Sequence, residues 1–385
     1  MKNIEIYIHI PFCEKKCLYC DFVSFVANYD LISEYIEQLI AEIENKSYLA
    51  NDYCVSSIYI GGGTPSVIDQ KYIAYIIESL FNKYNISNDV EISIEVNPNS
   101  ASKDKLDFYY KYGINRLSIG LQSANDEDLK TLGRIHTYDD FINAYNNAVH
   151  SGFKNINVDI INGIPFETPE SYKKSLKKVL MLGLKHISIY NLIIEDNTPF
   201  KKLLSENKIT LPLENDLLKM DEITKNLTDY YKLHRYEISN YAKLGYECKH
   251  NLGYWSDVPY LGFGLNSSSY IDNKRFKNKS IFKNYMILDY KNYITSNNQD
   301  TYYDEVKNIE NKEHLNEYIM LSFRKTSGIN ISEFYAKFNE HFEEKYKSEI
   351  KYYQSLELLC KKDNNYYLSD KGLNISNKII IDFMK

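Results

Sequence analysis

Ile4, Ile6, Ile8 and Ile10 alternate with polar or aromatic residues at the start of the chain, a period of two that predicts a strand with one buried face. The period then changes. Tyr35, Ile36, Leu39, Ile40 and Ile43 recur at spacings of three and four or adjoin one another, as the core-facing stripe of a helix does. The two periods go on alternating. A strand at Val55–Ile60 runs into Gly61-Gly62-Gly63-Thr64-Pro65-Ser66, and the next helix carries Tyr72, Ile73, Ile76, Ile77 and Leu80. Further strands are expected at Val90–Val96, Arg116–Leu121, Ile156–Ile161 and His186–Leu192, with helices near Lys103–Tyr112, across Asp126–His150 and across Glu170–Leu182.

Six strand-and-helix units of this kind predict an α/β fold with parallel pairing through right-handed crossovers. A doubly wound sheet and a barrel both satisfy the pattern. Polar residues at the carboxyl ends of the strands favour a barrel, full or incomplete: Glu95 with Asn97, Gln122, Asp159, and Tyr190 with Asn191, beside the glycines at 61–63. In a barrel these ends converge on one mouth. A doubly wound sheet would serve only its switch-point crevice.

After residue 192 the pattern loosens into an amphipathic helix around Leu217–Tyr231, a turn-rich passage from Tyr236 to Gly264 and a stretch rich in Lys, Asn and Tyr. From about 310 helices are expected at Leu315–Phe323, Ile331–Phe342 and Ile350–Leu359, followed by an extended Tyr366-Tyr367-Leu368, then Gly372 and a last helix ending at Phe383. The expected organisation is a partial barrel over 1–240, a barrel extension over 241–309, and a mainly helical, winged-helix-like module over 310–385.

Composition narrows the class. The chain has 385 residues, a formal charge of −6 and no polybasic block, so the terminal module offers no evident face for a nucleic-acid backbone. No window matches a membrane span, although transient membrane contact stays open. The alternating amino terminus is no secretory segment, and a cytoplasmic protein is the default.

Three of the six cysteines, Cys13, Cys17 and Cys20, fall within eight residues. Thiolates bunched in this way are soft ligands for iron-sulfur clusters, zinc or copper(I). A closed structural zinc site takes four ligands, so three thiolates imply either a distant fourth, such as Cys54, Cys248 or a histidine, or a coordination position kept open. A disulfide framework does not suit so few cysteines in this compartment. The Gly61–Thr64 turn can lay N–H groups against a ligand, but it has no lysine and is no phosphate loop. Glu95 could pair with an ammonium and Arg134 with a carboxylate, Asp159 could receive ribose hydroxyls, and Gln122 could both donate and accept; each alone could equally be an ordinary solvent-facing or supporting polar group. Together at one mouth they suit a nucleoside bearing an amino acid.

The segments Tyr7-Ile-His-Ile-Pro-Phe-Cys13, Cys17-Leu-Tyr-Cys20-Asp-Phe22, Gly61-Gly-Gly-Thr-Pro-Ser66, Glu95-Val-Asn-Pro98, Asn115-Arg-Leu-Ser-Ile-Gly-Leu-Gln122, Leu132-Gly-Arg-Ile-His136 and His250-Asn-Leu-Gly-Tyr-Trp255 resemble the radical S-adenosylmethionine enzymes. Nearly the whole chain resembles the oxygen-independent coproporphyrinogen III oxidase family, and within it the haem-chaperone branch. The resemblance implies a radical SAM barrel in which Cys13, Cys17 and Cys20 hold a [4Fe-4S] cluster whose fourth iron chelates S-adenosylmethionine. It implies that Tyr7 and Tyr19 pack beside cluster and cofactor, that Gly62, Gly63 and Thr64 meet the methionine part, and that Glu95, Gln122, Arg134 and Asp159 complete the contacts. One electron, from a flavodoxin- or ferredoxin-like donor, would cleave the cofactor to methionine and a 5′-deoxyadenosyl radical.

The oxidases have a fourth cysteine where this chain has Phe22, and a longer amino-terminal segment ahead of the barrel. The chaperone branch implies haem as cargo, a recipient haem protein, and His250, Tyr254 and Trp255 as haem-binding residues, the imidazole being a known type of iron ligand. Leu265-Asn266-Ser267-Ser268 and Asn162-Gly-Ile-Pro-Phe-Glu-Thr168 depart from the family's usual forms. Two alternatives therefore stand beside the chaperone: an enzyme decarboxylating a tetrapyrrole, and a zinc-stabilised scaffold.

Overall fold

A computed structural model describes residues 1–293 and 299–384. Residues 294–298, inside the polar stretch expected as part of the barrel extension, and residue 385 lie outside the described residues. The alternating isoleucines form β1 (Lys2–Ile10), and all four are fully buried. Five further strands follow the same rule: β2 (Tyr53–Gly62), β3 (Ile86–Val96), β4 (Arg116–Gln122), β5 (Asn155–Asn162) and β6 (His186–Asn191). One face of each carries Ile58, Ile92, Leu117, Val158 or Ile187 into the apolar core. The other face is polar. It carries Glu5, Ser57, Glu91, Arg116, Asn157 and His186, all nearly inaccessible to solvent.

β1 to β6 lie side by side in chain order, every pair parallel. The crossovers are α1 (Tyr29–Asn45), α2 (Gln70–Lys83), α3 (Lys103–Lys111), α4 (Asp126–Thr131) with α5 (Tyr138–His150), and α6 (Pro169–Leu180). The helices expected across 126–150 are thus two, parted after Thr131 by a turn in which Gly133 takes φ +77°. Residues from β2 through β6 line one common cavity, so the six strands curve around it as an incomplete barrel.

After α7 (Pro199–Ser205) and α8 (Glu214–Tyr230), β7 (His234–Arg235) and β8 (Asn240–Ala242) add antiparallel strands beside β6. α9 (Lys249–Trp255) then leads to β9 (Tyr260–Phe263), which pairs parallel with β1 and starts an extension through β10 (Ser268–Ile271), β11 (Lys274–Asn278) and β12 (Tyr303–Asn308), with α10 (Phe282–Met286) between the last two. These strands lie where only turns and a polar stretch were expected, because runs of two to six residues on a sheet margin carry too little alternation to read. A buried ion pair ties the extension to α1. Glu42 Oε1 accepts from Lys46 Nζ at 2.7 Å and Asn278 Nδ2 at 2.6 Å, and its Oε2 accepts from the Gly264 N–H at 2.9 Å and the Tyr285 hydroxyl at 2.7 Å.

The carboxyl-terminal residues have their own apolar core, from Leu315 to Phe383. Helix α11 (Asn311–Ser322) precedes a three-stranded antiparallel sheet of β13 (Ile329–Asn330), β14 (Leu359–Lys362) and β15 (Asn365–Leu368). The helix expected over 331–342 ends at Phe338, since Asn339 takes a left-handed conformation with φ +53°. Gly372 precedes the last helix, Ser376–Phe383, as expected, and itself lies in a further short helix, Asp370–Asn374, where a Cβ on it would stand 2.2 Å from the Leu358 carbonyl oxygen. Among the described residues no helix is long and apolar enough to cross a membrane.

Candidate functional site

The cysteine loop leaves β1 and returns to it. The Cys13 N–H donates to the Phe25 carbonyl at 3.0 Å and the Phe25 N–H to the Pro11 carbonyl at 2.9 Å, closing the base. Its middle is anchored through Leu18, whose N–H donates to Leu132 O at 3.1 Å and whose carbonyl accepts from the Phe200 N–H at 3.0 Å. Leu18 and Tyr19 pack on Leu132, Ile161 and Phe200. The apolar residues between the cysteines therefore hold the loop, and the thiols are left to face inward.

Cys13, Cys17 and Cys20 front one cavity of about 420 Å³ whose walls include Tyr19, Gly62, Gly63, Thr64, Glu95, Gln122, Arg134 and Asp159. Thr64 Oγ1 donates to Cys13 Sγ at 3.8 Å, and Arg134 Nη1 to Cys17 Sγ at 3.5 Å. Arg134 Nη2 donates to the Gly120 carbonyl at 2.7 Å, while its Nε is buried without a partner. Burial, and then the other two thiols, push the Cys20 thiol up. Among the described residues no three His, Cys, Asp or Glu side chains converge on a position for a single metal ion. Three thiols fronting one cavity are the donor type that an iron-sulfur cluster takes, so the residues present fit such a group. Cys54 lies at the start of β2, and buried Cys248 donates to Glu91 Oε1 at 3.4 Å. Neither reaches the loop.

The glycine turn has a packing reason of its own. Gly62 has φ +115°, and a Cβ there would stand 2.6 Å from the His9 ring; one on Gly63 would stand 2.7 Å from the Phe12 carbonyl oxygen. Glu95 Oε1 accepts from the Tyr59 hydroxyl at 3.0 Å and its Oε2 from the Gly62 N–H at 3.1 Å. Burial, with Asp159 adding to it, pushes the Glu95 carboxyl up to about 7. Asp159 accepts from Ser118 Oγ at 3.0 Å and Asn157 Nδ2 at 2.8 Å, and burial raises it too. Two desolvated carboxyls facing one cavity favour a cationic ligand that also donates hydrogen bonds.

A pH dependence follows for the cofactor-free chain. The Glu95 pKa of about 7 lies above the ordinary 4.5, so the folded state holds the extra proton between those values. Its stability contribution therefore declines as pH rises through that window and is level above it. Glu95→Gln is expected to flatten this decline by on the order of 2–3 kcal/mol, checked by urea midpoints below and above the window.

Tyr7 lines a second cavity of about 770 Å³ that adjoins the first and shares Asp21, Phe22, Tyr59, Glu95 and Tyr190 with it. The reason is His9. Its Nε2 is 3.0 Å from the Val23 carbonyl, which can only accept, so Nε2 carries the hydrogen. Burial lowers the ring's pKa, and the neutral Nδ1 accepts the Tyr7 hydroxyl at 3.0 Å. Sequence reasoning missed His9, although it falls on the same face of β1 as Tyr7.

Helix α9 contributes the remaining expected residues, and it separates them. His250 is 2% exposed, with Nδ1 2.8 Å from Ser57 Oγ and its ring stacked on Tyr59 at 5.1 Å. Its Nε2 is buried without a partner, and burial, then Arg116, drives its pKa down to about 3. Tyr254 meets the His250 ring edge-on at 4.7 Å and lines the second cavity. Trp255 is not on that wall; its indole bonds to Glu237.

The parallel half-barrel with a thiol-rich loop at its mouth defines a radical S-adenosylmethionine protein, and the comparisons agree. The Radical SAM superfamily model matches residues 7–179 and the HemN C-terminal domain model residues 309–375. The coproporphyrinogen III oxidase HemN of Escherichia coli superposes with a TM-score of 0.83 at 23% identity, covering 100% of this chain and 90% of that one. The haem chaperone HemW of Bacillus subtilis is 31% identical over 98% of both chains, and that of Lactococcus lactis 30% identical over 100% of this chain and 98% of its own. The chain belongs to the HemW family.

Proposed function

We propose that this chain is a haem chaperone which holds a [4Fe-4S] cluster through Cys13, Cys17 and Cys20, binds S-adenosylmethionine in the adjoining cavity, and carries haem in the second cavity for delivery to haem proteins. When bound, cluster and cofactor supply one-electron cleavage of the sulfonium. The chain's residues orient and desolvate. Glu95 and the Gly62–Thr64 backbone receive the cationic amino-acid end, Asp159 and Gln122 the ribose hydroxyls, and Arg134 the carboxylate, with Tyr19 closing the side. A flavodoxin- or ferredoxin-like donor, a recipient haem protein and a cytoplasmic setting complete the reading.

The observation that carries the haem assignment is Phe22. This side chain is 63% exposed on the wall common to both cavities, at the position where the oxidase branch has a fourth cysteine. Beyond it the second cavity is walled by Tyr7, Tyr59, Tyr254, Tyr260 and Tyr270, with Met320 and Leu321 of α11, a surface suited to a planar macrocycle. With the hydrogen on Nδ1 facing Ser57, His250 Nε2 offers a lone pair to haem iron once the Tyr254 ring yields. The test is haem titration of anaerobically reconstituted protein, followed at the Soret band. His250→Ala is expected to weaken binding by about tenfold or more, the scale of one lost metal-site interaction. Consumption of coproporphyrinogen to a product with two fewer carboxylates would overturn the chaperone reading in favour of the enzyme.

A further inference from the structure

Beneath the cofactor cavity the polar face of the barrel forms a continuous line of hydrogen bonds. Asn157 Nδ2 donates to Asp159 Oδ1 at 2.8 Å, and Asn157 Oδ1 lies 2.6 Å from His186 Nδ1. His186 Nε2 lies 2.7 Å from the Tyr236 hydroxyl, whose oxygen accepts from the Cys248 N–H at 3.2 Å. Asn157, His186, Tyr236 and Cys248 are all buried. Cys248 is the residue that caps the start of α9.

The direction of every bond is fixed. The carboxylate can only accept, so Asn157 presents its amide N–H₂ to Asp159 and its oxygen to His186. His186 Nδ1 must then carry the hydrogen. Burial, and then Arg116, hold the imidazole neutral, so Nε2 accepts and Tyr236 donates its hydroxyl hydrogen to it. Tyr236 is left with its lone pairs for the Cys248 N–H. Each link donates toward Asp159, and bonds aligned in one sense polarise one another.

We propose that this line couples the two cavities: a ligand hydroxyl donating to Asp159 competes with Asn157 and shifts the line, and through Cys248 it repositions α9, which carries His250 and Tyr254. Asn157, His186 and Tyr236 are positioning residues in this scheme. The inference rests on the cofactor and haem reading given above, and it makes the two affinities reciprocal. It has its own reporter, because Trp255 is the sole tryptophan and ends α9.

The experiment titrates the cluster-loaded protein with S-adenosylmethionine, without reductant, while following Trp255 emission, and repeats the titration with haem bound. In the wild type the emission is expected to shift on saturation, and the S-adenosylmethionine Kd to change by about fivefold or more with haem. Tyr236→Phe keeps the ring and removes the hydroxyl. It should still bind S-adenosylmethionine, yet lose the Trp255 response and bring the ratio of the two Kd values to one. A full response in Tyr236→Phe, or none in the wild type, overturns the coupling. Amide hydrogen exchange over Cys248–Trp255 of the wild type should also change on adding S-adenosylmethionine, and unchanged exchange overturns the proposal even if the variant fails to fold. Absence of haem binding would sink the chaperone reading while leaving the Trp255 outcome to decide the coupling. Absence of S-adenosylmethionine binding would overturn both.

Discussion

Cys17→Ala is expected to abolish cluster assembly: iron and acid-labile sulfide fall to background after anaerobic reconstitution, while the chain remains folded. The loop is held at this point by the backbone of Leu18 and the packing of Leu18 and Tyr19, so the substitution removes a ligand without releasing the segment. Among the described residues the side chain that loses a hydrogen-bond partner is Arg134, through Nη1, and its Nη2 keeps the Gly120 carbonyl. No spare thiol replaces the lost one. Cys54 is at the far end of β2 from the glycine turn, Cys248 is committed to Glu91 beneath the cavity, and Cys360 belongs to β14. Cys54→Ala and Cys360→Ala are therefore expected to retain full iron and sulfide. Wild-type iron content in Cys17→Ala would remove the three-cysteine assignment.

The parallel half of the sheet was legible because each strand segregates its two faces. Alternation of Ile4, Ile6, Ile8 and Ile10 reads as a strand, and so do the runs ending at Ile60, Val96 and Leu121. The polar face of the same strands was equally visible and went unread. Tyr7 and His9, Asn157 and Asp159, or His186, Ser188 and Tyr190 are period-two sets, as informative as the isoleucines. A barrel interior normally filled by branched apolar side chains is here filled by hydrogen-bonding groups, and only the strand-end members were noticed. Tyr7 could not be placed from sequence because its direction depends on His9 and Val23, fourteen residues apart in the chain. The three residues of the α9 motif are spread by helix geometry. His250, Tyr254 and Trp255 suggest one cluster, yet on α9 Tyr254 follows His250 by four positions and shares its face, while Trp255 is turned toward Glu237. The strands β10 to β12 were hidden by composition, since Lys, Asn and Tyr mask the buried positions Tyr270, Phe276 and Tyr303.

Glu42→Ala is expected to be the most destabilising single change away from the site. Glu42 in the last turn of α1 and Lys46, which caps that helix, are four residues apart and essentially inaccessible. Neither lines the cysteine-fronted cavity; both face the extension. Glu42 uses both oxygens, on four donors from α1, the Gly264 turn, β11 and α10. Lys46 Nζ also donates to Asn278 Oδ1 at 3.2 Å and lies 4.5 Å from the Tyr303 ring centre and 5.1 Å from that of Tyr290. Removing the carboxylate strands a buried ammonium and three neutral donors together, a loss of about 3–5 kcal/mol. Lys46→Met should cost less, about 1–3 kcal/mol, because its side chain still fills the aromatic cage and Glu42 keeps three donors. The order follows from the geometry: the carboxylate is the hub and the ammonium one spoke. Urea midpoints measure the sizes, and hydrogen exchange locates the effect, with protection lost first in β11 and β12 and retained in β3 to β5. A Lys46→Met variant less stable than Glu42→Ala would mean that the cation, held by its ring cage, and not the carboxylate fastens the extension to the barrel.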